Sequence, residues 1–356
     1  MKGRINNIEI DREKNGVFIV MEAGPTHTGL ASAKQLAKAA KDAGADAVKF
    51  QTIFVDRLMA KSDVMFEYKI LEIDNNGNEN FVSIEEPLDV ILKRRELKKE
   101  EWKELKKYCD EIGIAMFTTA TYPDEVDFLV DECGIDSIKI NSSDVNMLGF
   151  IKYVARKGVN IQLDTGNADI WEIERAVVAA EEEGCDNIII HLCPSGYPAR
   201  LESLHLNMIT TLKQMFPMHS VAFSDHVPGW DMDIAAVALG AELIEKTITL
   251  DRTQRSCEHS FSLEPDKAKE FVKSIRDVET ALGNARRIIP AEIKEKRKAG
   301  RRSPYAMRDL RAGDVIREED FEFKRPGYGL SNIEFHFVKG MRLTQDMKKM
   351  DMLDKS

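Results

Sequence analysis

The sequence contains no apolar run approaching the roughly 18 residues that a membrane-crossing helix requires, so no membrane partner is expected. Its opening residues, MKGRINNIEIDREKNG, offer no apolar stretch for a signal peptide, and the expected location is the cytoplasm. Excess positive charge is also missing: 51 Lys+Arg stand against 61 Asp+Glu, a formal net charge of −10. That argues against general nucleic-acid binding, which needs a basic face, but leaves room for a locally basic pocket around an anionic substrate. Cysteines are sparse. Cys109, Cys133, Cys185, Cys193 and Cys257 are odd in number, scattered and free of any CxxC pair, which fits buried thiols in a reducing compartment better than a disulfide framework. The remaining composition, 43% hydrophobic and 31% charged, is that of an ordinary globular protein. A length of 356 residues allows two or three domains, or one large α/β barrel with an appendage.

What the sequence does have is alternation. Short apolar, β-branched runs recur at Val17–Ala23, Ala47–Thr52, Ala115–Ala120, Ser137–Ser142, Asn160–Thr165, Asn187–Cys193, Ser220–His226 and Leu243–Thr249. Each is followed by a segment of helical periodicity, and several of these end on a Gly suited to a left-handed helix cap. The runs carry few alternating polar positions, as strands buried on both faces should. Eight such units in about 280 residues predict an α/β (β/α)8 TIM barrel spanning residues 1–283. A doubly wound open sheet is the alternative, disfavoured because no GxGxxG follows the first strand. Two stretches break the rhythm. Residues Ile53–Leu97 form an unusually long connection with the turn-rich, acidic EIDNNGNENF, which reads as a lid or binding loop. Residues 284–300 read as a charged linker, helical in part. Residues 301–356, with short β-like runs broken by AGD and PGYG, predict a small, mostly β domain whose core alone would be marginal.

In a barrel of this kind the working groups sit at the C-terminal strand ends and on the loops that follow. Collecting those ends yields Glu22, Thr26 and His27; Lys49 and Gln51; Thr118, Thr119 and Thr121; Lys139, Asn141, Ser142, Ser143 and Asp144; Asp164, Thr165 and Asn167; His191, Ser195 and Tyr197; Ser224, Asp225 and His226; and Glu245, Lys246, Asp251 and Arg252. Lys49 and Lys139 interrupt apolar strands, where an ammonium needs an anion beside it. With hydroxyls from Thr119 and Ser142 and the backbone around Ser195, they predict a cradle for a phosphorylated ligand. A Schiff-base lysine, or simple pairing with Glu22 or Glu245, are the alternatives. His191 and His226, on neighbouring strand ends, are candidate ligands of a divalent ion; as an isolated pair they also suit structural or substrate-contacting roles.

Taken in order, EAGPTHTG, AGADAVKFQT, IKINSSD, CPSGYP, FSDHVPGW, AAVALGAELIEK and SLEPD resemble the N-acetylneuraminate (sialic acid) synthase family. The tail RDLRAGDVIREEDFEFKRPGYG resembles that family's C-terminal antifreeze-like (SAF) domain. The resemblance runs from about Val17 to the C-terminus. It implies condensation of phosphoenolpyruvate with an open-chain N-acetylated amino sugar, giving a nine-carbon 2-keto acid and phosphate. It implies a divalent cofactor, Mn²⁺ or Mg²⁺, and a domain-swapped homodimer in which the small domain covers the partner's site. Residue by residue, Glu22, Lys139 and His226 match catalytic positions, with His226 and His191 the metal candidates. Lys139, Ser142 and Thr119 match positions that hold phosphoenolpyruvate, which puts Lys49 and Ser195 of the cradle read above in the same set, while Gln51, Asp144, Tyr197, His259 and Arg325 fall on the sugar side. A Schiff-base pyruvate aldolase and a repurposed sugar-binding relative are the rival functions. The sequence also departs from the family pattern. Asp164 stands where Ser is common, Leu192 separates His191 from the following Cys, Thr247 follows Lys246 in place of His, and Thr26 precedes His27 in place of Asn. A carboxylate at 164 would repel phosphate unless a Lys or an ion intervenes. A one-residue shift at His191 would reverse its side chain unless a bulge restores it.

Overall fold

The computed structural model describes residues 3–61 and 63–355. The chain divides into two compact units, one ending at Gly283 and the other beginning at Asn284. In the first unit eight parallel strands close into a barrel in chain order: Phe18–Glu22, Ala47–Gln51, Ala115–Thr119, Ser137–Ile140, Asn160–Asp164, Ile188–Leu192, Ser220–Asp225 and Leu243–Thr247. All eight fall inside the apolar runs read from the sequence. Nearly every strand residue is buried, because one face fills the barrel and the other packs against helices.

The first of those helices, Leu30–Ala43, shows why the outer layer forms. It buries Ala33, Leu36, Ala37, Ala40 and Ala43, a stripe at helical spacing made of small residues that allow close approach to the strands. Burying Leu36 alone contributes about 2 kcal/mol. Gly44 ends the helix at φ 87° with its N–H on the Ala40 and Lys41 carbonyls, a conformation that costs other residues about 1 kcal/mol or more.

The floor of the barrel is closed by a feature the sequence reading missed, an N-terminal hairpin of Arg4–Ile5 and Ile8–Glu9. The Gly3 N–H donates to Ser220 Oγ (3.2 Å) and the Arg4 N–H to Asn187 Oδ1 (2.7 Å), while Ile5 and Ile10 are fully buried. The opposite, C-terminal mouth carries the long insertion. Instead of an irregular loop, it is a hairpin of two nine-residue strands, Met65–Ile73 and Glu79–Pro87, flanked by helices Val55–Leu58 and Leu88–Lys93. Asp74 builds the turn by accepting the N–H groups of Asn76 (2.8 Å) and Asn78 (2.9 Å). In its first strand only Tyr68 and Leu71 are buried, so no period-2 pattern marked the hairpin in the sequence. Ion pairs Arg255–Glu86 (3.5 Å) and Arg252–Glu79 (2.7 Å), with packing of Tyr68, Ile91 and Cys257, fasten it to the loop after the eighth strand, and Arg94 braces Glu86 from within the insertion (2.6 Å).

The second unit opens with helix Ala291–Gly300 and pairs strands Ser303–Ala306 and Phe321–Lys324 antiparallel. Helix Asn332–Val338 follows, its first turn closed by reciprocal Ser331 and Glu334 hydrogen bonds. The core of the unit is small, comprising Ala306, Leu310, Ile316, Phe321, Leu330, Phe335, Leu343, Met347 and Leu353. Among the described residues no helix is long and apolar enough to cross a membrane.

Candidate functional site

The first strand ends on Glu22, whose carboxylate accepts the Gly24 N–H (2.6 Å) and pairs with Lys49 of the second strand. Gly24 must lack a side chain, since a Cβ would lie 2.6 Å from the Gln51 nitrogen. Lys49 also reaches Glu245 of the eighth strand (2.9 Å). Glu245 in turn accepts from Lys139 of the fourth strand (2.8 Å), and Lys139 pairs with Asp164 of the fifth (2.9 Å) and donates to Ser224 Oγ (3.0 Å). Five side chains from five strands thus alternate in sign across the barrel. Desolvation would cost several kcal/mol per ion, and only this mutual pairing offsets it. Burial would push Glu245 up, but Lys139 and Lys49 outweigh it and hold the carboxyl well below its ordinary range. Burial would likewise lower Lys49, yet Glu22, Glu245 and Asp164 hold its ammonium well above the usual value.

Above this row lies a cavity of about 290 Å³. Glu22, Lys49, Gln51, Ser142, Tyr197 and His226 from the sequence-predicted set all line it. Asn141, Ser143, Asp164, Asn167 and Glu245 join them. Lys139 and Thr119 do not line it: Lys139 is wholly inaccessible, and Thr119 is buried in register with Gln51. Gln51 Nε2 lies 3.4 Å from Glu22. The Tyr197 and His226 rings stack obliquely at 4.7 Å. His226 Nδ1 faces the Pro194 carbonyl (3.2 Å), which leaves Nε2 for a ligand, and burial lowers its basicity.

Other expected members lie elsewhere. The sixth strand is regular, with His191 opposite Asp164 on one side and Ala222 on the other, so no bulge corrects the one-residue offset. His191 therefore points into the barrel, where Nδ1 meets Ser224 Oγ (2.9 Å) and Nε2 meets Gln162 Oε1 (2.8 Å). Burial, then the Lys139 charge, lowers its pKa to about 3. Both nitrogens are engaged, so His191 offers no lone pair to an ion in the cavity. Among the described residues no group of three or more His, Cys, Asp or Glu is arranged to hold one. Ser195 belongs to a neighbouring cavity with Thr165, Gly166 and Cys193, and donates its proton to the Gly166 carbonyl (2.7 Å). His259 is buried beside the mouth on Thr249 Oγ1 (2.7 Å), its pKa lowered by burial to about 4. Asp144 follows Ser143 outside the lining, its carboxyl raised by burial. Arg325 is an exposed residue of the second unit.

Two charged lining residues escaped the sequence reading. Glu258, in the loop after the eighth strand, is buried, and desolvation together with Glu22 raises its pKa to about 7. Arg95 enters from the insertion. The signals were faint: Glu258 adjoins His259 in that loop, and Arg95 stands in KRRE just before the second helix of the barrel.

Comparison with known proteins places this geometry in context. The NeuB family matches residues 36–287 and the SAF domain residues 301–356. The N,N'-diacetyllegionaminic acid synthase of Legionella pneumophila is 33% identical over 97% of this chain and 95% of its own. A pseudaminic acid synthase of Campylobacter jejuni is 31% identical over 98% of each chain. Among solved structures, the N-acetylneuraminic acid synthetase of Leptospira borgpetersenii, in complex with citrate, superimposes with a TM-score of 0.67 at 28% identity, covering 79% of this chain and 90% of that one. The chain is a member of the NeuB family of sialic-acid-type synthases, a barrel followed by a SAF domain.

Proposed function

We propose that this protein condenses phosphoenolpyruvate with the open-chain aldehyde of an N-acetylated amino sugar, giving a nonulosonic 2-keto acid and inorganic phosphate. The observation that carries the reading is the convergence of Glu22, Lys49, Gln51, Ser142, Tyr197 and His226 on one cavity in a NeuB-family barrel. In this scheme Lys49 and Ser142 supply a cation and a hydroxyl on the cavity's lining, and Lys139 adds a buried positive charge beside Asp164 and Glu245. Asp164 does not bar an anion outright, because it is already engaged by Lys139 (2.9 Å). The enol carbon attacks the aldehyde carbon, forming the new C–C bond as the aldehyde π bond opens to an alkoxide that takes a proton from solvent, and leaving an oxocarbenium-like centre at the former enol carbon. Water adds there, Glu22 orients it and takes its proton, and the C–O bond to phosphate breaks.

Phosphate release from phosphoenolpyruvate with a panel of N-acetylated hexosamines and diamino sugars tests the proposal. Wild type should release phosphate with at least one acceptor, and Glu22→Gln should lower turnover by about 10²–10⁴-fold. Silence from folded wild-type protein with every acceptor would sink the reading. The Schiff-base alternative finds little support, since Lys139 and Lys246 are each ion-paired: Lys246 is wholly buried on Asp225 and on the Val227 carbonyl (2.6 Å). A borohydride-trapped pyruvate adduct would revive it.

The residues present fit a protein-held divalent ion poorly, since they offer one free imidazole nitrogen rather than two, so no step above is routed through a metal. The expectation of Mn²⁺ or Mg²⁺ remains a proposal with its own check. Metal content after dialysis should fall in His226→Ala relative to wild type if His226 is the ligand, and equal content would remove it from that role.

A further inference from the structure

Two adjacent arginines at the end of the insertion have opposite fates. Arg94 is fully used: its guanidinium forks onto Glu86 (2.8 and 2.6 Å) and holds the hairpin in place. Arg95 is only 7% exposed, yet its Nε and Nη1 atoms are buried without any hydrogen-bond partner. Among the described residues it forms no ion pair. A guanidinium left in this state is costly, because desolvated N–H groups and a desolvated charge both go uncompensated. Natural folds rarely keep such a group unless something else completes it.

The location says what is missing. Arg95 lines the same cavity as Glu22, Lys49 and Tyr197. Its charge bears on His27 in the loop after the first strand, and on Cys257, Glu258 and His259 after the eighth. Of the candidate phosphoenolpyruvate donors, Thr119, Lys139 and Ser142 come from the third and fourth strands and the loop beyond, and Lys49 from the second, whereas Arg95 comes from the insertion. The ion pairs that pin the hairpin prepare the position before any ligand arrives.

We infer that Arg95 is a specificity-determining residue of the acceptor subsite, giving charge-assisted hydrogen bonds to an oxygen of the acceptor sugar, either an acyl carbonyl or an oxyanion. This rests on the proposed condensation for the identity of the ligand, but the assignment of Arg95 can fail on its own. Calorimetric titration of N-acetylmannosamine and of its 6-phosphate into wild type and Arg95→Ala separates the cases. At least one probe should bind wild type, and binding should weaken about 10–100-fold in the variant. Loss confined to the phosphorylated probe assigns an oxyanion; loss with both assigns an oxygen they share. Equal binding by both proteins, or no binding to wild type, overturns the inference.

Turnover supplies the independent arm. Arg95→Ala should raise the acceptor KM while the phosphoenolpyruvate KM stays within about twofold, and Arg95→Lys or added guanidinium should restore part of the loss. An active wild type whose acceptor KM ignores Arg95 would refute the subsite and leave the condensation standing. A purely structural arginine would lower the thermal midpoint when removed; here Arg95→Ala should keep or raise it, because an uncompensated group is lost.

Discussion

Lys139→Met should abolish turnover, by about 10³-fold or more, and destabilise the barrel by about 3–5 kcal/mol at neutral pH. Lys139 holds Glu245 (2.8 Å) and Asp164 (2.9 Å), and its side chain has no access to water. Methionine fills the space but leaves Asp164 without its ion-pair partner and Glu245 with Lys49 alone. The pH dependence follows from Glu245. Its folded pKa lies below the unfolded value, so it contributes stability above the unfolded pKa that is lost as pH falls through the folded one. Without Lys139 much of that contribution disappears, so the gap between variant and wild type should be widest near neutrality and shrink on acidification. Urea denaturation at about pH 7 and about pH 3, below the unfolded Glu245 pKa, measures it. Adding Asp164→Asn should recover part of the stability but none of the turnover. Equal stability of wild type and Lys139→Met at both pH values would contradict the paired arrangement.

Glu258→Gln should act in the opposite sense on stability. Desolvation, then repulsion from Glu22, raises this carboxyl from an ordinary 4.5 to about 7. The folded chain therefore binds more protons than the unfolded chain between those values. The stability linked to this group is complete below about pH 4.5 and is lost as pH rises through about 7. Glutamine does not titrate, so the variant should gain up to about 3 kcal/mol at pH 8 and little at pH 4.5. A gain independent of pH would rule out a raised Glu258. In turnover, a feature near pH 7 that vanishes in Glu258→Gln would identify this carboxyl as a proton carrier in the reaction, for which its basicity is suited.

The barrel was legible because its strands are buried on both faces and therefore read as uninterrupted apolar runs between glycine-capped helices. The same logic exposed Lys49, Lys139 and Glu245, charged residues inside runs that otherwise exclude charge. Legibility ended where a side chain's direction depends on the backbone path rather than on residue type. His191 has the right chemistry for a metal ligand, but in a regular strand its alternation sends it inward to Ser224 and Gln162. Ser195 follows the strand end into a turn that leans toward Gly166. Arg95 and Glu258 come from connections with no periodicity, so only the folded insertion and the loop after the eighth strand bring them to the mouth.

The row Glu22–Lys49–Glu245–Lys139–Asp164 has an odd number of members, so both of its ends carry the same sign. Any anion that seeks the lysines meets a resident carboxylate already in place. Its arrival is then an exchange rather than an addition: a terminal glutamate or aspartate must let go of its lysine, and the freed carboxylate must turn toward water or take up a proton. Occupancy would thereby be tied to the proton supply of the surrounding solution, and an empty site would be kept neutralised by its own side chains rather than left as a bare concentration of positive charge.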